Sequence, residues 1–436
     1  MIFKTTIYTT AALLLGAALM LPVNVAGNES DCVSSYDPSK DYFPDKVESK
    51  YGSGFEITYA GNAKYIRNNI ANENYVLYQC GTPAPDGASP TPANSLQVGN
   101  WTKVAAIPGS KVVLSSAPAS AIIEAFNLQN TVAGSYKFLT VTSPCMQKQL
   151  SSLPRIEQTY ATPSTRRRNV RSHGLVRRVS YDLDGQGLQW TFTTYGMSDP
   201  RSFSVNPEDA SDMLGKAEWI KFVAAFYNKE AEANKLFADI ESRYNALKKP
   251  ASANAAKTNV GIARYNKVAN GTILGWTMVP AQKWLAQGLS DAGLNAYTGD
   301  MRSFTSADDF HKAVSGWDIL IDTSIEPLSH GGATIPEWQD LVNGYKLDTS
   351  GGRSSSSSGS SSLQFIDPNA VYRSDLISST NNATDADEHL QVQPDVLLND
   401  FIKLSSASSG AKDARWYRNM PLEVPVDWTS PSDCSN

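Results

Sequence analysis

Short apolar runs alternate with amphipathic segments over most of the chain after residue 104. Residues 112–114 form an apolar β-branched run, and a turn rich in Ser and Pro separates them from Ile122, Ile123 and Phe126, which share one face at helical spacing. The run "TVAGSYKF" at 131–138 then predicts a second strand. A strand, a covering helix and a second strand make the βαβ unit of a parallel sheet.

The same order returns in the second half of the chain. Its pattern predicts strands at 259–266 and 317–324 and helices at 279–293, 335–344 and 393–404. The two regions together predict an α/β fold with two Rossmann-like lobes, an N-terminal lobe over 105–210 and a C-terminal lobe over 251–410. Residues 350–362 are a Ser- and Gly-rich insert in the second lobe, for which we expect a flexible loop.

One unusually long amphipathic segment separates the two lobes. From Trp219 to Leu247 the apolar residues recur close to i, i+3, i+4 and i+7, and Pro250 follows. A single helix over about 217–247 would run roughly 45 Å at about 1.5 Å per residue, which is more than one small lobe requires. We therefore predict that 211–250 form a spine helix that joins the lobes.

Both ends of the chain extend beyond this two-lobe plan. Residues 28–104 contain two runs rich in aromatic and β-branched residues, "FEITYAGNAKYIRNN" and "YVLYQCG", which predict an N-terminal extension with a β-hairpin. The tail, 411–436, carries Trp416, Tyr417 and Met420 close together. A segment this apolar predicts a tail that packs onto the body of the protein.

Residues 1–27 have the pattern of a secretory signal peptide. Lys4 precedes an apolar run that ends in small residues, and we expect cleavage after Gly27. Four N-x-S/T triplets suit passage through a eukaryotic secretory pathway; they begin at Asn28, Asn100, Asn270 and Asn382. These features predict a secreted or cell-surface protein, or one that reaches the endosome.

Four cysteines in an exported chain indicate disulfides rather than free thiols. Three pairings are open on sequence alone. We favour the one that joins Cys80 to Cys145 and Cys32 to Cys434, which would tie the two ends of the chain together. No two cysteines are close enough in sequence for a CxxC redox or zinc motif.

Charge argues against one class of partner. The formal net charge is −5 at pH 7, which disfavours a general nucleic-acid binder. The segment "RRRNVRSHGLVRR" at 166–178 departs from this balance with six arginines. Two interpretations are open for it: a solvated, protease-sensitive loop, or a patch for an anionic ligand or partner.

The order of elements and a few short motifs resemble a known family. "GSKVVLSSAPASAIIEAFNLQNTVAGSYKF" at 109–138 resembles the first βαβ unit of the helical-backbone, class III substrate-binding proteins that serve bacterial importers of cobalamin, siderophores and metals. The later runs "NVGIARYN", "GWDILIDTS" and "QPDVLL" follow in the family's order, and the resemblance spans about 105–405. The N-terminal extension, arginine run, serine insert and tail are similar to additions in eukaryotic extracellular relatives, including algal cobalamin acquisition proteins. The resemblance implies solute capture for a membrane uptake receptor or transporter that the sequence does not identify.

The candidate ligand contacts lie at the ends of the predicted strands, because ligands of parallel α/β sheets bind beyond the carboxyl ends of the strands. With one tail residue added, they are Ser115, Ser116, Tyr136, Phe138, Arg264, Tyr265, Trp276 and Trp416. These residues offer hydroxyls and flat aromatic surface with few charges, which favours a bulky neutral ligand. With the resemblance, this indicates cobalamin or a related corrinoid. Trp276, in the Gly-flanked stretch "ILGWTM", is expected in a loop at the lip of the cleft.

Two alternative functions remain open. A ferric siderophore or similar iron chelate is anionic and requires facing cations, for which Arg264, Lys137 and the run 166–178 are candidates. A surface structural protein on the same scaffold requires no ligand at all.

Bare metals and catalysis are not expected. The four histidines lie in four separate segments, which argues against a metal site; they are His173, His311, His330 and His389. The chain has no GxSxG, HExxH, GxGxxG or P-loop motif. We therefore expect neither an enzyme nor a resident cofactor.

Overall fold

The computed structural model shows a mixed α/β protein, as the alternation of strand and helix patterns predicts. It describes residues 27–52, 54–85, 102–136, 141–153, 155–156, 187–194, 201–249, 258–327, 333–347, 370–405 and 413–435. Several features predicted from sequence lie outside these residues: residues 1–26 of the predicted signal peptide, Asn100 of its sequon, Lys137, Phe138, the arginine run, His330 and the serine insert. Within the described part, no helix is long and apolar enough to cross a membrane.

The N-terminal extension forms a four-stranded sheet, larger than a hairpin. Its strands are β1 (Phe55–Ala60), β2 (Ala63–Asn68), β3 (Glu73–Gln79) and β4 (Thr102–Ile107). The first three are antiparallel neighbours, and β4 runs parallel to β3. Phe55 packs edge-on against Trp219 and Phe222, so the sheet covers the helical segment that follows the first lobe.

A parallel sheet forms the centre of the N-terminal lobe. Its strands are β5 (Val112–Ser115), β6 (Val132–Tyr136), β7 (Arg155–Ile156), β8 (Trp190–Thr193) and β9 (Ser202–Ser204). They lie in the order β7, β6, β5, β8, β9. Two helices follow β5 and β6, namely α1 (Ala117–Ala125) and α2 (Pro144–Ser151). Ser116 and Ser143 cap them by accepting hydrogen bonds from backbone amides in the first turn.

The segment between the lobes is broken, so the prediction of one helix over 217–247 is wrong. It consists of α3 (Met213–Ala217), α4 (Trp219–Ala225) and α5 (Glu230–Leu247). The chain turns at Asn228, whose φ of 56° lies in the left-handed region that Asn tolerates better than most residues. Every residue of α4 is buried, whereas α5 buries one face. The apolar pattern therefore runs through the turn without a visible break.

A buried ion pair holds the turn between α4 and α5. Lys64 of β2 pairs with Glu230 at the start of α5, and both side chains are fully buried. The Lys64 ammonium also donates to the carbonyl of Ala225 and to Asn228 Oδ1, each at 2.7 Å, which satisfies a carbonyl at the end of α4. Burial lowers the pKa of Lys64 to about 8 against the opposing effect of Glu230, and burial raises the pKa of Glu230.

The C-terminal lobe contains a seven-stranded mixed sheet and two small sheets. The strands are β10 (Asn259–Lys267), β11 (Ile273–Val279), β12 (Asn295–Ala296), β13 (Arg302–Phe304), β14 (Ile319–Asp322), β15 (Glu326–Pro327), β16 (Ala333–Thr334), β17 (Val371–Arg373), β18 (Ile377–Ser379), β19 (Arg418–Asn419) and β20 (Asp427–Thr429). The main sheet has the order β13, β11, β10, β14, β17, β19, with β12 also beside β10. Its β10, β14 and β17 run parallel, and β18 pairs with β20 of the tail.

Helices cover both faces of this lobe and connect it to the rest of the protein. They are α6 (Lys283–Asp291), α7 (Ala307–Val314), α8 (Trp338–Tyr345), α9 (Asp385–His389) and α10 (Pro394–Leu404). The last of these, α10, packs against α5, α6 and α3. In the tail, Trp416, Tyr417 and Met420 are buried. Contacts of α10 with α5 and α3, contacts of α9 with α1, and the tail therefore fasten the C-terminal lobe to the remainder of the chain.

The disulfides differ from the pairing favoured on sequence. Cys32 is joined to Cys80, and Cys145 to Cys434. Cys32 lies beside the end of β3, where the Val33 amide donates to the Cys80 carbonyl at 3.0 Å. Cys434 in the tail lies beside α2, with a Cα–Cα distance of 4.7 Å to Cys145. The prediction failed because backbone pairing at β3 and packing of the tail on α2, neither visible in local sequence, decide which thiols meet.

Replacing Lys64 by Met tests the buried ion pair. The variant K64M leaves the Glu230 carboxyl buried without its partner, so we expect the free energy of unfolding to fall by about 3–5 kcal/mol in chemical denaturation. The matched control is K50M, because Lys50 pairs with Glu241 while its own side chain is 61% exposed; little change is expected there. A loss in K64M no larger than in K50M would contradict the role of the pair.

Candidate functional site

Segments that follow the carboxyl ends of strands in both lobes meet in one region, here called the interlobe seam. Thr142 follows β6, and α9 follows β17 and β18. The Thr142 amide donates to Glu388 Oε2 at 2.6 Å, and its hydroxyl donates to Asp385 Oδ1 at 2.9 Å. Thr429 of β20 donates to the Thr142 carbonyl at 2.7 Å. The carboxyl edge of parallel strands is where α/β sheets usually bind ligands, so the seam is the candidate site.

The N-terminal lobe places three of the predicted contacts at its carboxyl edge. Ser115 ends β5, Ser116 caps α1, and Tyr136 ends the neighbouring strand β6. All three side chains are buried. Because β5 and β6 are adjacent and parallel, these residues lie at one edge as the sequence pattern predicts. In the described structure their buried side chains pack beneath that edge.

The predicted contacts from the C-terminal lobe divide between two faces of the sheet. Tyr265 and Trp276 are opposite each other on β10 and β11, and both are buried. The Trp276 indole donates to the carbonyl of Gly344 at 2.9 Å. Arg264, one residue earlier on β10, is exposed and so points to the other side. The structure therefore does not bring Arg264 together with the two aromatic rings.

The expected lip position of Trp276 is wrong, because "ILGWTM" forms strand β11 and not a loop. Gly275 explains why the pattern misled. A Cβ at Gly275 would lie 2.3 Å from the carbonyl oxygen of Phe304, so glycine is required for β11 to approach β13 closely. Its φ of 151° is also unfavourable for other residues. The glycine beside Trp276 thus serves strand pairing.

Trp416 of the tail does reach the interlobe seam, although it is buried. Its indole donates to Asp385 Oδ2 at 2.7 Å, on the same carboxyl group that accepts from Thr142. Arg415 donates to that oxygen at 3.0 Å. The tail therefore positions α9 against the N-terminal lobe.

A network of buried charges that the sequence analysis missed lies at the carboxyl edge of the C-terminal sheet. Arg373 at the end of β17 pairs with Asp322 at the end of β14, and its Nε lies 2.6 Å from Asp375 Oδ2. Arg418 Nε lies 2.8 Å from Asp375 Oδ1, and the Tyr345 hydroxyl donates to Asp322 Oδ1 at 2.5 Å. Burial opposes the charge of Arg373, but Asp322 and Asp375 outweigh it and raise the pKa of the guanidinium. The sequence signal that could have revealed this network is the charged residue at the end of each apolar strand, Asp322 in β14 and Arg373 in β17.

The cations of this edge are compensated by carboxylates. Besides the pairs just described, Lys267 Nζ lies 2.5 Å from Glu326 Oε2, and Arg418 Nη1 lies 2.8 Å from Glu337 Oε2. Lys267, Arg373 and Arg418 each therefore face at least one acid. The edge offers polar groups with little net positive charge.

Two exposed apolar side chains near these edges were also missed by the sequence analysis. Ile325 follows β14 and is 64% exposed. Trp428 on β20 is 47% exposed, while its neighbour Thr429 points into the seam. Exposed apolar groups beside a ring of polar ones are typical of binding surfaces.

A cavity of about 630 Å³ lies at the opposite, amino edge of the N-terminal sheet. Ser110 before β5, Gln189 before β8 and Asn28 at the expected mature N-terminus contribute to its lining. The side-chain amide of Asn28, which is half-buried, donates to Asp45 O at 3.0 Å and to Glu230 Oε2 at 2.7 Å. The cavity is separate from the seam.

Comparison with known proteins gives only distant structural similarity. No protein-family model and no curated protein matches the sequence. A periplasmic binding protein from Veillonella parvula is 9% identical, with a TM-score of 0.42 over 67% of this chain and 91% of its own. An apo periplasmic heme-binding protein from Roseiflexus is 13% identical, with a TM-score of 0.42 over 70% and 99%. A possible iron-binding periplasmic protein from Staphylococcus epidermidis is 10% identical, with a TM-score of 0.42 over 69% and 99%. Similarity at this level carries no function to this chain.

Glu208 lies beyond the end of β9, at the carboxyl edge of the N-terminal sheet, and it predicts how stability depends on pH. Both of its carboxylate oxygens are buried with no hydrogen-bond partner in the described part of the chain, and burial raises its pKa to about 7 from 4.5. The folded state therefore binds this proton more tightly than the unfolded chain. The resulting stabilisation is complete below about pH 4.5 and is lost as the pH rises through 7.

We expect E208Q to remove that loss, because glutamine stays neutral at every pH. In denaturation experiments E208Q should match wild type near pH 4.5 and exceed its free energy of unfolding by about 1–3 kcal/mol at pH 8. The exposed acid Glu56 of β1, which is not among the groups that shift the Glu208 pKa, supplies the control E56Q, which should keep the wild-type pH dependence. Identical pH dependence in E208Q and wild type would contradict the assignment.

Proposed function

We propose that this protein captures a bulky, nearly neutral solute outside the cell at the interlobe seam and delivers it to a membrane uptake system. Cobalamin or a related corrinoid is the ligand that suits the seam best. The observation that carries the proposal is the meeting of strand-following segments from both lobes at Thr142 and α9. The protein's part in uptake is binding, without catalysis.

Charge compensation favours a neutral ligand over an anionic iron chelate. Recognition of an anionic siderophore uses arginine or lysine side chains that are free to face it. At the carboxyl edge of the C-terminal sheet, Arg373, Arg418 and Lys267 already pair with carboxylates. A corrinoid with amide arms instead uses hydroxyl, amide and aromatic groups, and the exposed ring of Trp428 beside the seam offers such an aromatic surface.

An extracellular setting agrees with the covalent structure. All four cysteines form disulfides, and such bonds persist in oxidising compartments. Together with the signal-peptide pattern, this supports a secreted or cell-surface location.

A surface structural protein without a ligand is the second candidate. The Cys145–Cys434 disulfide ties the tail to α2, and the hydrogen bonds of Thr142 tie the lobes together at the same region. Such fastening suits a rigid scaffold. It also suits a receptor whose site is formed before the ligand arrives, because preorganisation lowers the entropic cost of binding.

Calorimetry of the secreted mature chain against cyanocobalamin and a panel of ferric siderophores separates these functions. We expect saturable binding of one cyanocobalamin per chain. Binding of a ferric siderophore that R264A abolishes, with none of cyanocobalamin, would establish the iron-chelate alternative. Absence of heat with every ligand would favour the structural scaffold.

Substituting Trp428 tests where the corrinoid binds. If its exposed ring stacks on the ligand, loss of contact worth on the order of 1–3 kcal/mol should weaken cyanocobalamin binding about fivefold to a hundredfold in W428A. The control is Y36A, which removes another exposed aromatic ring, in the N-terminal segment. Equal affinity of W428A, Y36A and wild type would place the ligand elsewhere.

A further inference from the structure

Three potential metal ligands converge where the two lobes touch. Glu124 on α1 of the N-terminal lobe, and Glu388 and His389 on α9 of the C-terminal lobe, each offer one ligand atom, and these atoms all lie within 4.8 Å of one another. The sequence analysis expected no metal site, because the histidines are widely separated along the chain. Folding overturns that reasoning for His389, since contact between α1 and α9 supplies two carboxylates from different parts of the sequence.

Glu388 carries a buried oxygen with no hydrogen-bond partner in the described part of the chain. The residue is 2% exposed. Its Oε2 accepts a hydrogen bond from the amide of Thr142 at 2.6 Å and lies 2.7 Å from the Thr142 hydroxyl, whose single proton is shared with Asp385. Its Oε1 has no hydrogen-bond partner among the described residues. A buried carboxylate oxygen without a partner is costly and rare, so this atom calls for a bound cation or a proton.

His389 is oriented as a metal-binding histidine would be. Its Nδ1 lies 3.0 Å from Asp385 Oδ1, and the side chain is 12% exposed. A carboxylate on one ring nitrogen fixes the tautomer and leaves the other nitrogen, Nε2, available to an ion. The remaining oxygen of Asp385 is occupied by Arg415 and the Trp416 indole, so Asp385 acts as the orienting group.

The charges around the cluster favour a cation. Glu124, Asp385 and Glu388 bring three carboxyl groups to His389, and Arg415 contacts Asp385 alone among them. The Ser143 hydroxyl donates to Glu124 Oε1 and holds that carboxylate toward the seam. Glu124 accepts this hydrogen bond from Ser143, and Glu388 accepts one from the Thr142 amide. Both donors are neutral groups, so neither bond brings a full positive charge to the carboxylate.

We propose that Glu124, Glu388 and His389 bind a divalent first-row transition ion that fastens α1 to α9 across the interlobe seam. Two carboxylates and an imidazole suit Zn²⁺, Mn²⁺ or Fe²⁺, whereas Ca²⁺ and Mg²⁺ prefer oxygen ligands alone. Zinc binds oxygen and imidazole nitrogen at about 2.0–2.2 Å. The three ligand atoms lie within 4.8 Å of one another, so side-chain rotations can bring each of them to that distance from one shared ion. The site adds to the solute-binding function and does not depend on it.

Zinc titration of the tag-free, chelator-treated mature chain tests this site. By calorimetry we expect one Zn²⁺ per chain in wild type, with affinity reduced at least tenfold in E388Q and in E124Q. The control D387N removes an acid from the same helix without removing a ligand, and it should bind Zn²⁺ within about twofold of wild type. MnCl₂ in place of ZnCl₂ shows which ion the set prefers.

Thermal unfolding of the same samples separates metal binding from misfolding. Zn²⁺ should raise the melting temperature of wild type and D387N and leave that of E388Q unchanged. If E388Q does not fold, E124Q decides, because Glu124 is only partly buried. Absence of stoichiometric uptake of Zn²⁺ and Mn²⁺ by wild type, or wild-type affinity in E124Q, would overturn the proposal and leave a proton on Glu388 as the partner of its free oxygen.

Discussion

The placement of the two lobes depends on the buried ion pair between Lys64 and Glu230. Burying two charges is favourable only when each has further polar partners, and here the surrounding groups provide them. Lys64 also binds the end of α4, Glu230 accepts from Asn28 at the expected mature N-terminus, and Asn228 donates to Gln79 of β3 at 2.8 Å. One polar network therefore joins the N-terminal sheet, the segment around Asn28 and the start of α5. Since α10 packs on α5, the direction of α5 also fixes where the C-terminal lobe lies.

The interlobe seam follows from that placement. Once α10 and α5 are packed, α9 lies close enough for Asp385 and Glu388 to bind Thr142, and the tail is joined to α2 by Cys145–Cys434. Polar contacts, a covalent bond and the proposed cation would then all act on the same junction. If the proposed solute binds here, a site assembled in this way would be held in shape beforehand, which would reduce the entropic cost of capture.

Local sequence periodicity sufficed wherever an element is defined by its own residues. Strands β5, β10 and β14 and helix α10 lie where short apolar runs or helical spacing predict them. The break between α4 and α5 was not visible, because α4 is buried on every side and the lysine that stabilises the turn comes from β2. The disulfide pairing failed for the same reason, since it depends on which distant segments pack together.

For the candidate site, sequence reasoning located an edge but not its chemistry. Ser115, Ser116 and Tyr136 lie at the carboxyl edge as expected, because chain order alone determines that edge in a βαβ unit. The glycine beside Trp276 suggested a loop, so Trp276 was placed at a lip, although that glycine serves strand pairing and the side chain is in the core. The convergence of Glu388 and His389 with Glu124 depends on contact between helices of different lobes, which no local pattern encodes.

The most direct test of solute capture at the interlobe seam is hydrogen–deuterium exchange of the mature protein with and without saturating cyanocobalamin. Backbone amides that a bound ligand covers or stabilises exchange more slowly. The account predicts slower exchange in the presence of ligand at 141–145, 323–326 and 385–389, from both lobes at once. Unchanged exchange in these segments, with protection confined to the cavity around Ser110 and Gln189, would contradict it.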